Sequence, residues 1–182
     1  MTIANVITTS RLPLHLLTAI LLYIHPLSSL LTYLFNIALD KADGIYSRKY
    51  HQSTDFGKYY DIAVDRTIQT TMLLLLIHYT GTSSLYIYLF LLILTRDFLL
   101  TGIRQFAAEK NLFLKGSIYG KSKAAFEMIA IYLLFLQILL PLPYQAILSN
   151  TITSSLLLTV VVGFLSLYKY LKNNYRLLSQ NW

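Results

Sequence analysis

Cysteine is absent from this chain of 182 residues, which excludes disulfide frameworks and thiolate metal sites. Charge is scarce as well: Asp, Glu, Lys and Arg make up 13% of the residues, against about 25% in an ordinary globular domain. Apolar side chains take up the difference, at 55% of the chain and a mean hydropathy of +0.55. That composition is too apolar for a soluble domain and predicts an integral membrane protein. Acidic residues are the rarest of the charged types, 8 against 15 Lys and Arg, for a net charge of +7. In a membrane protein such an excess marks cytoplasmic connections and anionic lipid or phosphate ligands, and no nucleic-acid partner is expected. A cleaved signal peptide is not expected either. The first apolar run has a single flanking arginine, Arg11, and no small-x-small cleavage site before the next run begins.

Six apolar runs follow one another. They extend from about Leu12 to Ile24 with a helical lead-in from Asn5, from Ser28 into the polar stretch after Leu39, from Asp61 to Tyr79, from Leu85 past Arg104, from Gly120 to Leu140 and from Thr151 to Leu171. Runs of roughly 20 residues match the helix length a bilayer core demands. The expected fold is therefore an all-α integral membrane protein of six transmembrane helices, forming one domain over residues 1–182. The short turns His25 to Ser28, Thr80 to Ser84 and Pro141 to Asn150 contain no Lys or Arg. Every basic residue lies in the other connections or near the termini, and cytoplasmic connections accumulate such residues. Both termini and both polar connections are thus expected on the cytoplasmic side of the cell membrane.

The polar stretch from Asp40 to Asp65 holds four of the few carboxylates. Asp40 and Asp43 stand at i, i+3 and Asp61 and Asp65 at i, i+4, so on helices each pair shares one face. Like charges so arranged repel and resist desolvation unless a cation sits among them. An oxygen-only ligand set points to Mg²⁺, Mn²⁺ or Ca²⁺ and away from zinc.

Depth follows from the helical rise. Counted inward from the uncharged outer ends, Asp40, Asp43, Asp65 and Asp61 lie roughly 18 to 27 Å deep. Arg96 and Asp97 come at roughly 17 Å, Arg104 at roughly 28 Å, and Glu127, Lys123 and Lys121 at roughly 20 to 28 Å. Intramembrane charge is costly and faces a cavity or a partner, so a polar cavity in the cytoplasmic half of the membrane is expected.

The order Asp40-x2-Asp43-Gly44-x2-Ser47-Arg48-x8-Gly57-x3-Asp61-x3-Asp65 resembles the signature of the CDP-alcohol phosphotransferases, Asp-x2-Asp-Gly-x2-Ala-Arg-x8-Gly-x3-Asp-x3-Asp. Ser47 in place of alanine is the one departure, a small-for-small change that adds a hydroxyl. Asn5, Thr8 and Arg11 look like the Asn-x2-Thr-x2-Arg start of bacterial members. Arg96-Asp97 to Arg104 and Gly120-Lys121-Ser122-Lys123 are similar to helices four and five of the phosphatidylglycerophosphate-forming branch.

The resemblance implies a donor, CDP-diacylglycerol, and an acceptor alcohol whose hydroxyl attacks the lipid-side phosphorus and releases CMP. Sn-glycerol 3-phosphate is the expected acceptor, with phosphatidylglycerol, inositol phosphate and serine as alternatives within the same chemistry. It further implies that Asp40, Asp43, Asp61 and Asp65 hold Mg²⁺ or Mn²⁺, and that Asp65 is the catalytic residue that accepts the acceptor's proton. Asp43, Gly44, Ser47, Arg48, Gly57 and Asp61 are implied in binding the CDP-lipid, and a homodimer among membrane lipids is implied as the working form.

Plainer readings stand beside these. Gly44 and Gly57 are as compatible with close helix packing as with room for the nucleotide, and Arg48 with a snorkelling cytoplasmic arginine. Arg104, Lys121 and Lys123 are the candidates for the acceptor's phosphate, since a phosphorylated acceptor needs fixed cations; positive-inside charge is their alternative. Arg96 and Asp97 are open between a structural network with Glu127 and a share in the acceptor site. The same aspartates would also suit a cation carrier or channel, although the paired interrupted helices of transporters are not evident. The aspartate spacing and the chain length count against a membrane prenyltransferase.

Overall fold

The computed structural model describes residues 3–49, 55–81, 83–109 and 118–179, and their regular structure is helical throughout. Six α-helices run in order: α1 Ile3–Ile24, α2 Pro26–Lys49, α3 Asp55–Thr80, α4 Ser84–Glu109, α5 Ile118–Leu139 and α6 Gln145–Ser179. Each expected apolar run is therefore a helix. Four of the helices contain stretches long and apolar enough to cross a membrane: Val6–Ile24, Ser84–Ala107, Ile118–Leu139 and Leu142–Tyr175. Only 28% to 39% of the most apolar window in each is buried within the protein, so most of that apolar surface faces outward, as lipid contact requires. The α2 and α3 helices fall outside this group because one half of each carries the polar stretch from Asp40 to Asp65.

The chain forms two compact units, residues 1–79 and 80–182. In the first, α1 and α2 pack along each other as a hairpin broken at His25, where Pro26 opens α2. Proline suits the first turn of a helix because the N–H it lacks has no intrahelical acceptor there. The inward face of α1 is polar over most of its length: Thr8, Arg11, His15 and Thr18 are all buried, at the 3- and 4-residue spacing of one helical stripe that ends on the buried Leu22. Leu16, Ile20 and Ile24 point outward instead. Hydrogen bonds close the seam, with the Ser29 hydroxyl donating to the Thr18 carbonyl at 2.8 Å and the Asn36 amide to the Arg11 carbonyl at 3.0 Å. Side chains tie α3 to α1, through His15 Nε2 and Thr71 Oγ1 at 2.6 Å and an edge-on contact of the Tyr23 and Tyr79 rings at 5.4 Å.

In the second unit α5 packs along α6, and α4 also lies against α6. Ala130, Ile131, Leu134, Phe135, Ile152 and Leu156 are fully buried. The Ser155 hydroxyl donates to the Phe126 carbonyl at 2.9 Å, and the Tyr86 hydroxyl to the Ser149 carbonyl at 3.0 Å. The turn expected over Pro141 to Asn150 is shorter than its two prolines indicate. A 3₁₀ turn, Leu142–Tyr144, absorbs them, and α6 is already under way at Gln145. The Gln145 amide donates to the carbonyls of Gln137 and Leu140, two acceptors that the end of α5 leaves without intrahelical partners.

Candidate active site

Two clusters of charge lie inside the described helices, one in each unit. The first is built on the α1–α2 hairpin and the N-terminal half of α3. Asn36 and Asp40 are one turn apart on α2, and Asp61 and Asp65 one turn apart on α3, so each helix presents a pair of polar side chains on one face. Arg11 of α1 reaches across to both. Its Nη1 donates to Asp40 Oδ1 at 2.7 Å and to Asp61 Oδ1 at 3.1 Å, its Nη2 donates to Asp65 Oδ1, and its Nε donates to Asn36 Oδ1 at 3.2 Å.

Burial separates the partners. The Arg11 side chain is 3% exposed, while those of Asp40, Asp61 and Asp65 are 33%, 41% and 35% exposed. The carboxylates thus rest against a buried guanidinium on one side and remain open on the other. Carboxylate oxygens of Asp40, Asp61 and Asp65 lie within 4.8 Å of one another. Two unit charges at such a distance repel by on the order of 3 kcal/mol at the effective dielectric of a protein surface. The Arg11 guanidinium, paired with all three, offsets part of that repulsion. The donor set, three converging and partly exposed carboxylates, fits a hard divalent cation, which takes oxygen ligands.

The sequence-predicted residues divide as follows. Asp40, Asp61 and Asp65 are brought together. The side chains of Asp43, Ser47 and Arg48 lie outside the described part of the structure, although α2 carries their backbone one to two turns beyond Asp40. Gly44 lies on α2 with them, and Gly57 opens the first turn of α3.

The second cluster belongs to residues 80–182. Asp97 of α4 accepts from Arg96 Nη1 at 2.7 Å and from Lys123 Nζ of α5 at 2.7 Å, and Lys123 also donates to Glu127 at 2.7 Å. Arg96 Nε donates to the Gly163 carbonyl of α6 at 3.0 Å, so three helices meet here. Arg96, Lys123 and Glu127 are at most 1% exposed. Two cations and two anions thus meet in one largely buried network. Of the residues assigned to an acceptor phosphate, Lys123 is engaged in this network. Lys121 is exposed on α5, and Arg104 is exposed on α4 with its guanidinium 5.6 Å from the centre of the Tyr170 ring.

Sequence reasoning passed over Asn36 and His15, and it read Arg11 only as a charge marker and part of a motif. The available signal was the stripe Thr8, Arg11, His15, Thr18 on an otherwise apolar helix. Such a stripe turns inward, because polar groups are excluded from lipid.

Comparison with known proteins follows the same residues. The family described as CDP-alcohol phosphatidyltransferase matches over residues 1–168, all of the first unit and most of the second. A CDP-diacylglycerol–glycerol-3-phosphate 3-phosphatidyltransferase of Wigglesworthia glossinidia brevipalpis is 31% identical over 144 residues, covering 78% of this chain and 75% of that protein. The protein of the same description from Bacillus subtilis is 26% identical over 139 residues, 76% of this chain and 69% of that protein. Another from Mycoplasma pneumoniae is 34% identical over 92 residues, half of this chain and 39% of that protein.

The buried network predicts that Lys123→Met lowers stability by about 3–5 kcal/mol, since it removes a buried counter-charge of Asp97 and Glu127. Lys121→Ala, on the exposed face, is expected to change stability by less than about 0.5 kcal/mol. Thermal unfolding of the two variants in detergent checks the pair, and equal melting temperatures would show that the network is not structural.

Proposed function

Because this chain belongs to the CDP-alcohol phosphatidyltransferase family, we propose that it transfers a phosphatidyl group from CDP-diacylglycerol to sn-glycerol 3-phosphate, forming phosphatidylglycerophosphate and releasing CMP. The observation that carries this reading is the convergence of Asp40, Asp61 and Asp65, each still partly exposed. All three belong to the signature that resembles the family's. The names of the relatives favour glycerol 3-phosphate as the acceptor.

In this reading Asp40, Asp43, Asp61 and Asp65 hold one or more Mg²⁺ or Mn²⁺ ions, which supply neutralising charge to the diphosphate. The acceptor's 1-hydroxyl oxygen forms a bond to the lipid-side phosphorus, the bond from that phosphorus to the CMP oxygen breaks, and CMP leaves with the electron pair. Asp65 takes the hydroxyl proton, a role that suits a carboxylate half open to the substrate side. Asp43, Gly44, Ser47, Arg48, Gly57 and Asp61 form the CDP-lipid site, where glycines allow backbone to approach the nucleotide and Arg48 meets the diphosphate. Arg104 and Lys121 take the acceptor's phosphate, and Lys123, held between Asp97 and Glu127, fixes the start of α5 beside them.

The protein is further proposed to cross the membrane six times, with both termini and the aspartates on the cytoplasmic side, and to work as a homodimer. Six crossings leave α2 and α3 with charged halves inside the bilayer, which is tolerated where charge lines a cavity.

Two experiments test this. Purified protein given CDP-diacylglycerol and Mg²⁺ or Mn²⁺ is expected to release CMP with glycerol 3-phosphate and not with serine, inositol phosphate or phosphatidylglycerol. Asp65→Asn is expected to slow that release by about 10²–10⁴-fold, and Arg104→Ala or Lys121→Ala to act mainly by raising the KM for glycerol 3-phosphate. Turnover with another acceptor alone would overturn the assignment. For the orientation, a chain without native cysteine lets single introduced cysteines report cleanly. An impermeant maleimide applied to intact cells is expected to label Leu142→Cys and to reach Lys172→Cys only after permeabilisation; the reverse pattern would invert the topology.

A further inference from the structure

Arg11 occupies the middle of the aspartate cluster, and its attachments show how it stays there. Its stem is buried in the α1–α2 seam, its Nε donates to Asn36 Oδ1 at 3.2 Å, and the Asn36 amide donates back to its own carbonyl at 3.0 Å. Asn36 is 1% exposed, so this clamp is shielded from water. The guanidinium takes one oxygen from each of three carboxylates, and Nη1 stands 2.7 and 3.1 Å from the oxygens of Asp40 and Asp61. A Mg²⁺ ion holds carboxylate oxygens at about 2.0–2.1 Å, and Ca²⁺ at about 2.3–2.6 Å. A cation bound by the same oxygens would sit within a few ångströms of Nη1, where like charges repel, and would draw the carboxylates closer together than the guanidinium holds them.

We propose that Arg11 is an internal counter-ion that competes with the divalent cation for Asp40, Asp61 and Asp65, holding the three carboxylates apart and partly neutralised until the cation displaces it. The inference rests on the metal-site reading given above. Arg11 is a positioning residue in this account. It keeps an otherwise repulsive cluster folded in the apolar hairpin, and the strength of its clamp sets how tightly the cation binds. Without Arg11 the cation would no longer compete with this guanidinium for the three carboxylates, and the apparent affinity would rise.

The test is Mn²⁺ binding to the purified full-length protein in detergent without substrate, followed by the electron paramagnetic resonance signal of free Mn²⁺. Arg11→Gln is expected to bind Mn²⁺ at least tenfold more tightly than the natural protein, and to melt at a lower temperature without metal but recover more on adding it. Asn36→Ala keeps the guanidinium and loosens its tether, so it is expected to tighten Mn²⁺ binding by a smaller factor; it keeps the proposal testable if Arg11→Gln does not fold. Unchanged or weaker Mn²⁺ binding in the folded variants would overturn the proposal and make Arg11 a supporting member of the metal site. If the natural protein and both folded variants bind no Mn²⁺, the metal-site reading itself falls and takes this inference with it. Acceptor-dependent CMP release together with unchanged affinity in the variants would remove the competition alone.

Discussion

Placing charge inside an apolar helical protein is the constraint on which the rest of this structure depends. A carboxylate taken out of water demands a counter-charge and hydrogen bonds, and each cluster meets that demand differently. In residues 80–182, Arg96 and Lys123 are matched by Asp97 and Glu127, and three of the four side chains are at most 1% exposed. That cluster joins α4, α5 and α6. In residues 1–79, one guanidinium serves three carboxylates that remain about a third exposed or more. A cluster of converging, partly exposed carboxylates is where a divalent cation would gain most.

The helices around these clusters follow from the same constraint. Helix α1 buries Thr8, Arg11, His15 and Thr18 and leaves Leu16, Ile20 and Ile24 outward, against the usual order on a water-soluble domain. Ser29, Ser155 and Thr159 bury hydroxyls against neighbouring backbone or their own helix, which small polar side chains can do without holding charge. The apolar faces left outward need a lipid solvent. The function and the membrane setting therefore rest on one arrangement of polar and apolar residues.

Much of this was legible in the sequence, and the reasons differ by feature. Six apolar runs gave six helices because runs near bilayer length bounded by turn residues have few other solutions. The prolines at 141 and 143 blurred the start of α6, since proline marks a turn and a helix's first turn equally well. Asp61 and Asp65 were visible as a pair through their spacing, and so were Lys123 and Glu127 at i, i+4. The bond from Lys123 to Asp97 spans 26 positions, and those from Arg11 to Asp40, Asp61 and Asp65 span 29 to 54, distances over which periodicity carries no information. Depth counting placed Asp97 and Lys123 near one layer but could not distinguish a phosphate ligand from a buried ion pair. Arg11 was hidden for a related reason. A lone arginine near an apolar run reads as a cytoplasmic flank until tertiary structure turns it inward.

The central claim is that Asp40, Asp61 and Asp65 form a divalent-cation site. The most direct measurement is the electron paramagnetic resonance spectrum of Mn²⁺ bound to the natural protein and to Asp61→Asn, each purified and folded. A protein-bound Mn²⁺ signal is expected in the natural protein, weakened at least tenfold or lost in the variant. Equal binding by both would contradict it and place any bound cation elsewhere.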